Sequence, residues 1–119
     1  MTITFYEYPK CSTCQKAKKW LKDQNIDFQA VHIVENPPTK AEIREAADKA
    51  GLELKKLFNT SGMKYRELGL KDKLKDASEE DMLEWLASDG MLIKRPMAIS
   101  GDKATVGFKE DTYEKTWKR

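Results

Sequence analysis

Long hydrophobic runs are missing from this 119-residue sequence, and neither sign of charge is in clear excess. No apolar stretch approaches the roughly 20 residues of a membrane-spanning helix, so no membrane association is expected. Lysine and arginine number 22 against 20 aspartates and glutamates, a net charge of +2. Direct nucleic-acid binding, which uses a concentrated basic field, is not expected from that balance. Histidine occurs once, at His32, and cysteine twice, at Cys11 and Cys14. A closed zinc site takes four ligands, so only two chains pooling their cysteine pairs could complete one. Covalent haem attachment needs a histidine directly after the second cysteine, but that position is Gln15. The expectation is a protein with no metal and no cofactor. The segment Met1–Tyr6 has neither the charged start nor the apolar run of a signal peptide. That points to the cytoplasm, where two cysteines seldom form a structural staple. Their chemistry is what needs explaining.

At this length the chain closes a single core. Ile3–Tyr6 is a short β-rich run, and Phe28–Val34 reads as a second strand. Between them Ala17, Trp20 and Leu21 recur at helical spacing, from Cys14 to about Asn25. Strand, helix, strand in this order implies a right-handed crossover joining two parallel strands. Pro37-Pro38 breaks the chain, and Thr39 to Glu42 has the spacing of a capping box, opening a helix that stops at Gly51. Leu54–Phe58 reads as one or two helical turns, Asn59–Gly62 as a turn, and Tyr65–Leu68 as a short segment closed by Gly69. Ser78 caps a further helix with acids in its first turn and a core stripe of Met82, Trp85 and Leu86. Met97–Ile99 and Ala104–Phe108 form a hairpin around Ser100-Gly101-Asp102, and Lys109–Trp117 is a closing amphipathic helix. A CxxC after the first strand of a βαβ pattern is a redox signature. The expected fold is α/β: a thioredoxin-like, mixed four-stranded sheet built from about 1–38 and 91–119, with a helical lobe inserted over about 39–90.

A thiol attacks as its thiolate, and a free cysteine with pKa ~8.5 is mostly protonated at neutral pH. A helix N-terminus offers a sulfur unpaired N–H groups and the positive dipole end, worth about 0.3–1 kcal/mol, under one pKa unit. Neighbours such as Lys10 or a distant arginine would have to add to that. Cys14 lies three residues on, on the same helical face and deeper. Cys11 therefore reads as the nucleophile and Cys14 as the resolving thiol. Two inert packing cysteines would not need a Pro-Lys-Cys-Ser-Thr-Cys turn.

Arg95-Pro96 is the second feature. In a thioredoxin-like sheet a proline, often cis, opens the strand opposite the active helix, and Pro96 stands directly before Met97–Ile99. Arg95 would then aim its fork of donors at the pocket over Cys11; the plainer alternative is a surface arginine beside an edge proline. Ser12 and Thr13 suit either an oxyanion or ordinary capping. Asn59, with Thr60, Ser61 and Tyr65, either faces the site or ends a helix. His32 is read as structural, and Trp20, Trp85, Met82 and Phe108 as core.

The stretches Tyr8-Pro9-Lys10-Cys11-Ser12-Thr13-Cys14, Pro37-Pro38-Thr39, Tyr65 to Leu70, Leu92 to Pro96 and Val106 to Lys109 together resemble the ArsC/Spx family, the glutaredoxin-like arsenate reductases and their relatives. The likeness runs over essentially the whole chain and is greatest to the ArsC-related, YusI-like branch. It implies Cys11 as an arsenate-attacking or sensing thiol, and Arg95 as an anion-binding residue beside a cis Pro96. Family reductases carry two further arginines around the oxyanion; one position is Asn59 here and the other falls near Phe108 and Lys109. Retaining one arginine of three weakens the case for arsenate as the target. Those reductases lack the second cysteine, whereas Cys14 could resolve an adduct and leave a disulfide for thioredoxin. The resemblance implies a thiol–disulfide oxidoreductase acting on arsenate or another small oxidant. Thioredoxin, glutaredoxin or a low-molecular-weight thiol would be its reductant. The alternative is a Spx-like redox regulator that binds the RNA polymerase α subunit, and a third is a dithiol carrier without a dedicated substrate.

Overall fold

The computed structural model describes residues 2–118. Strand β1 (Ile3–Glu7) leads into helix α1 (Ser12–Asp23) and back to strand β2 (Phe28–His32). Four helices follow: α2 (Lys40–Ala50), α3 (Met63–Glu67), α4 (Leu70–Lys73) and α5 (Glu79–Ser88). Strands β3 (Met97–Ser100) and β4 (Lys103–Val106) form the hairpin, and helix α6 (Glu110–Thr116) closes the chain. The sheet order is β2-β1-β3-β4. β1 and β2 run parallel with Ile3 opposite Phe28, while β3 is antiparallel to both β1 and β4.

Strand alternation divides the core between the two faces of this sheet. Ile3, Phe5 and Ala98 point to one side, where they meet Ala17, Trp20 and Leu21 of α1 and Tyr113 of α6. Tyr6, Met97 and Ala104 point to the other, against Ile43, Ala46 and Ala47 of α2 and Leu83 and Leu86 of α5. Each large apolar side chain so buried contributes about 1.5–3 kcal/mol. The two faces are therefore covered by different stretches of chain, and β1, buried on both, is the strand they share.

The sequence-based boundaries need four corrections. β2 stops at His32 rather than Val34, because the N–H groups of Val34 and Glu35 turn back to His32 Nδ1, both at 3.3 Å. β4 stops at Val106 rather than Phe108: Gly107 adopts φ +81 and donates its N–H to the Pro96 carbonyl at 2.8 Å. The segment around Tyr65–Leu68 belongs to α3, and left-handed Gly69 (φ 64) starts a further helix, α4, that periodicity over four residues could not reveal. The stripe of α5 is Leu83 and Leu86, with Met82 and Trp85 half-buried on its flanks, so the face that meets α2 is rotated by one residue.

The capping box at the start of α2 does more than end a helix. Thr39 Oγ1 accepts the Glu42 N–H at 3.2 Å, and Glu42 Oε1 accepts the Thr39 N–H at 2.9 Å. Glu42 Oε2 also accepts the Tyr6 hydroxyl at 3.0 Å, tying α2 to the central strand. The Thr39 N–H, helped by Tyr6 and opposed by partial burial, holds the Glu42 carboxyl below its ordinary range. A lowered carboxylate stabilises the fold above its unfolded pKa of about 4.3, and that contribution disappears as pH falls through the folded value. Glu42→Ala is expected to cost about 1–2 kcal/mol at neutral pH. The difference from wild type should narrow below about pH 4, as thermal melts across that range would read.

Candidate dithiol site

The site begins where β1 ends. The Cys11 N–H donates to the Tyr8 carbonyl at 3.0 Å, turning the chain out of the sheet. Cys11 is the N-cap of α1, with extended backbone (φ −87, ψ 112), and its Sγ accepts the Cys14 N–H at 3.2 Å. A sulfur thus fills the position that serine or aspartate usually takes at a helix start. Cys11 is half-exposed, while Cys14 is fully buried, and both thiols are free. Burial, reinforced by the hydrogen bond with Cys11, pushes the Cys14 thiol up to about 12; the Tyr8 N–H and the Arg95 charge pull weakly the other way. Cys14 is therefore a protonated, sheltered sulfur at neutral pH, one helical turn from an accessible one.

The opposite wall comes from residues far away in the chain. Gly90 sits against the end of β2 so closely that a Cβ would lie 2.2 Å from the Ile33 carbonyl oxygen. Asp89 Oδ1 accepts the Met91 N–H at 2.8 Å and caps the short turn Gly90–Leu92. From there the chain pairs with the segment before α3. The Asn59 N–H donates to the Leu92 carbonyl at 2.8 Å, the Lys94 N–H donates to the Leu57 carbonyl at 2.7 Å, and Phe58 bridges Ile93. This pairing carries Asn59 to the side of Arg95. The Arg95–Pro96 peptide is cis.

Arg95 departs in part from the sequence expectation of a fork aimed freely over Cys11. Its Nη1 donates to the carbonyls of Met91 (3.4 Å) and Ile93 (3.3 Å), so one arm braces its own loop. The guanidinium lies 5.5 Å from the Tyr8 ring centroid, within cation–π range. Its Nε is buried with no acceptor. The arm open to a ligand is Nη2, which is not buried and makes no hydrogen bond among the described residues.

A cleft of about 1110 Å³ opens over these residues, lined by Cys11, Ser12, Thr13, Asn59, Arg95 and Lys109. Pro96 and Cys14 are buried and do not line it. Ser61 joins the lining and donates its hydroxyl to Asn59 Oδ1 at 3.3 Å, whereas Thr60 and Tyr65 face a neighbouring hollow of about 620 Å³. His32 packs edge-on against Tyr8, ring centroids 5.7 Å apart, and so acts as a prop for the site wall. Phe108 is half-buried and also lines the cleft, beyond the core role expected of it.

Sequence reasoning overlooked Tyr8, Glu7 and Lys18. Strand parity with Tyr6 puts Tyr8 on the α2 side of the sheet, which was a usable signal. Parity with Ile3 and Phe5 turns Glu7 toward α1, where Lys18 stands four residues after Cys14. The Glu7 carboxylate is buried and meets Lys18 Nζ at 2.7 Å, its Oε1 having no hydrogen-bond partner. This ion pair locks α1 to β1 directly behind the dithiol. Among the described residues no group of three or more His, Cys, Asp or Glu is arranged to hold a metal, and no helix is long and apolar enough to cross a membrane.

Comparison with known proteins adds the lineage of this geometry. The ArsC family model matches residues 6–116. The chain belongs to the ArsC family. It is 60% identical to the Bacillus subtilis protein YusI over 117 residues, covering 98% of this chain and 99% of that protein. An arsenate reductase of Rhizobium meliloti is 30% identical over 100 residues, 84% of this chain and 70% of the reductase. The global transcriptional regulator Spx of Lactiplantibacillus plantarum is 25% identical over 109 residues, 92% of this chain and 81% of the regulator. The crystal structure of an ArsC-family related protein from Bacteroides fragilis superposes with TM-score 0.93 at 45% identity, covering 97% of both chains. The thioredoxin-like α/β fold read from the sequence is thus shown.

The burial difference makes the two sulfurs separable. Iodoacetamide under native conditions is expected to label Cys11 and leave Cys14 unmodified, and denaturant should expose both equally. Peptide mass mapping checks this. Native labelling of Cys14 as fast as Cys11 would contradict the sheltered geometry.

Proposed function

We propose that this protein is a thiol–disulfide oxidoreductase in which Cys11 attacks and Cys14 resolves. The observation that carries the reading is the pairing of an accessible N-cap sulfur, bearing an N–H donor, with a buried thiol one turn away. In the first step the Cys11 thiolate displaces one sulfur of a substrate disulfide. A mixed disulfide forms and the other sulfur leaves as a thiol. In the second, Cys14 attacks Cys11 Sγ and its proton passes to the departing substrate sulfur, which leaves as a thiol, giving a Cys11–Cys14 disulfide. The substrate gains two electrons and the dithiol loses two. Thioredoxin, glutaredoxin or a low-molecular-weight thiol then restores the dithiol.

Arsenate fits the same scheme: Cys11 displaces a hydroxyl as water, and attack by Cys14 releases arsenite with the arsenic reduced by two electrons. The free Nη2 of Arg95, with Ser12, Thr13, Asn59 and Lys109 around the mouth, would hold the oxyanion. A lysine and an asparagine there lack the bidentate fork of arginine, so disulfides are the favoured substrates and arsenate a weak one. In this reading the cytoplasm is the working compartment. The sheet of about 1–38 and 91–119 carries the dithiol, and the lobe of about 39–90 supplies Asn59 and Ser61.

The second reading, a Spx-like regulator, has the same two sulfurs switching between thiol and disulfide to control binding of the RNA polymerase α subunit. Similarity to Spx favours it.

Coupled turnover separates these readings. With thioredoxin or glutaredoxin as reductant, Cys11→Ser is expected to abolish disulfide reduction. Cys14→Ser should accumulate a mixed disulfide, visible by intact mass, and Arg95→Ala should lower arsenate turnover about 100–1000-fold. Absence of turnover for every disulfide and for arsenate, with oxidation-dependent binding to the α subunit, would overturn the enzyme in favour of the regulator.

A further inference from the structure

The chain as a whole is almost neutral, but its cations are not evenly placed. Lys40, Arg44, Lys18 and Lys19 are paired with carboxylates elsewhere on the surface. The cleft over Cys11 is lined by eight lysines and arginines and by no aspartate or glutamate. Lys10, Lys94, Arg95 and Lys109 come from the loops that flank the dithiol. Lys49 and Lys56 come from the inserted lobe, Lys103 from β4 and Lys115 from α6. Among the described residues only Lys49 of these eight has a carboxylate within 4.0 Å, Glu45 at 3.8 Å. One-signed clefts focus field lines and raise capture rates of oppositely charged ligands by about 10–10³.

The size of the cleft argues against a single oxyanion as its only occupant. Its volume of about 1110 Å³ exceeds the roughly 300–1000 Å³ of ordinary small-molecule pockets. It also takes in β4 over its full length, Lys103 to Val106. β4 is the last strand of the sheet, but Ala104 and Thr105 are buried, so only its ends, Lys103 and Val106, offer open surface to an occupant of the cleft. Leu52, exposed at 38%, and Val106 add apolar ground within the same cleft.

We propose that the cleft docks an extended acidic segment of a disulfide-bearing protein partner. The segment lies across the cleft, with its carboxylates on Lys103, Lys109 and Lys115 and its cystine at Cys11. This assignment of substrate class rests on the thiol–disulfide reading above, and its chemistry is the two-step exchange already balanced there. Acidic flanks select the partner by charge, and the Cys11–Cys14 pair reduces it.

Binding and turnover test the two claims separately. Fluorescent peptides of one length, acidic, neutral or basic and with serine in place of cysteine, report docking without chemistry by anisotropy. The acidic peptide is expected to bind the reduced protein at least about tenfold more tightly than the neutral one, an advantage that shrinks with added salt. The exposed pair Lys103→Glu and Lys115→Glu should reverse the preference, with an unchanged melting temperature reporting intact folding. Matched peptide disulfides should then show the charge preference in KM rather than in kcat. Equal affinity for all three peptides, or a preference that survives the double charge reversal, would overturn the docking proposal. Lys103 would then keep the plain role of an edge lysine that repels other strands. Acidic-selective binding without any Cys11-dependent reduction would leave the docking site standing and sink the oxidoreductase reading.

Discussion

The pairing of Leu57–Asn59 with Leu92–Lys94 is the contact on which the site depends. Two backbone hydrogen bonds, at 2.7 and 2.8 Å, hold the inserted helices to the loop that becomes Arg95-Pro96. Buried backbone groups must find partners, and here each segment supplies the other's. Without this seam Asn59 and Ser61 would have no fixed relation to Cys11, and the Arg95 loop would lose its outer support. Gly90 allows the seam to form, since any side chain there would strike the Ile33 carbonyl. A backbone contact thus decides the shape of a side-chain pocket.

The dithiol itself rests on a different constraint. β1 is buried on both faces, so its end is a rigid platform, and the Glu7–Lys18 pair fixes α1 to it. A buried ion pair is weak evidence of net stability, but removing one partner leaves a stranded charge at a cost of about 3–5 kcal/mol. Its consequence here is positional: the first turn of α1 cannot shift relative to β1. Cys11 stays at the mouth and Cys14 beneath it. The contrast between the two sulfurs follows from a difference in depth over one helical turn.

Arg95 illustrates how one side chain serves both structure and site. Its Nη1 braces the Met91 and Ile93 carbonyls, its face lies against Tyr8, and its Nε is left without an acceptor. A residue so held is pre-positioned, and its Nη2 meets a ligand with little further ordering to offset. The lysines around it are the reverse, exposed and mobile in principle, and act through their summed field rather than through fixed geometry. The division suits a site that must orient one reacting group and still tolerate varied surroundings.

Local pattern determined a good part of this protein. The CxxC at a helix start, the capping box at Thr39, the N-cap at Ser78 and the strand–helix–strand order all depend on neighbours within a few residues, and such signals survive in a linear sequence. The cis Arg95–Pro96 bond was legible from its place before a short strand. Tertiary structure alone decided the rest. Lysines scattered between positions 10 and 115 read as ordinary surface charge until the fold gathers them on one cleft. The split of residues 60–65, with Ser61 in the cleft and Thr60 and Tyr65 outside it, is set by the seam with Leu92–Lys94. The burial that keeps Cys14 protonated comes from core packing behind α1. These features arise from contacts between residues distant in sequence, and no spacing along the chain encodes them.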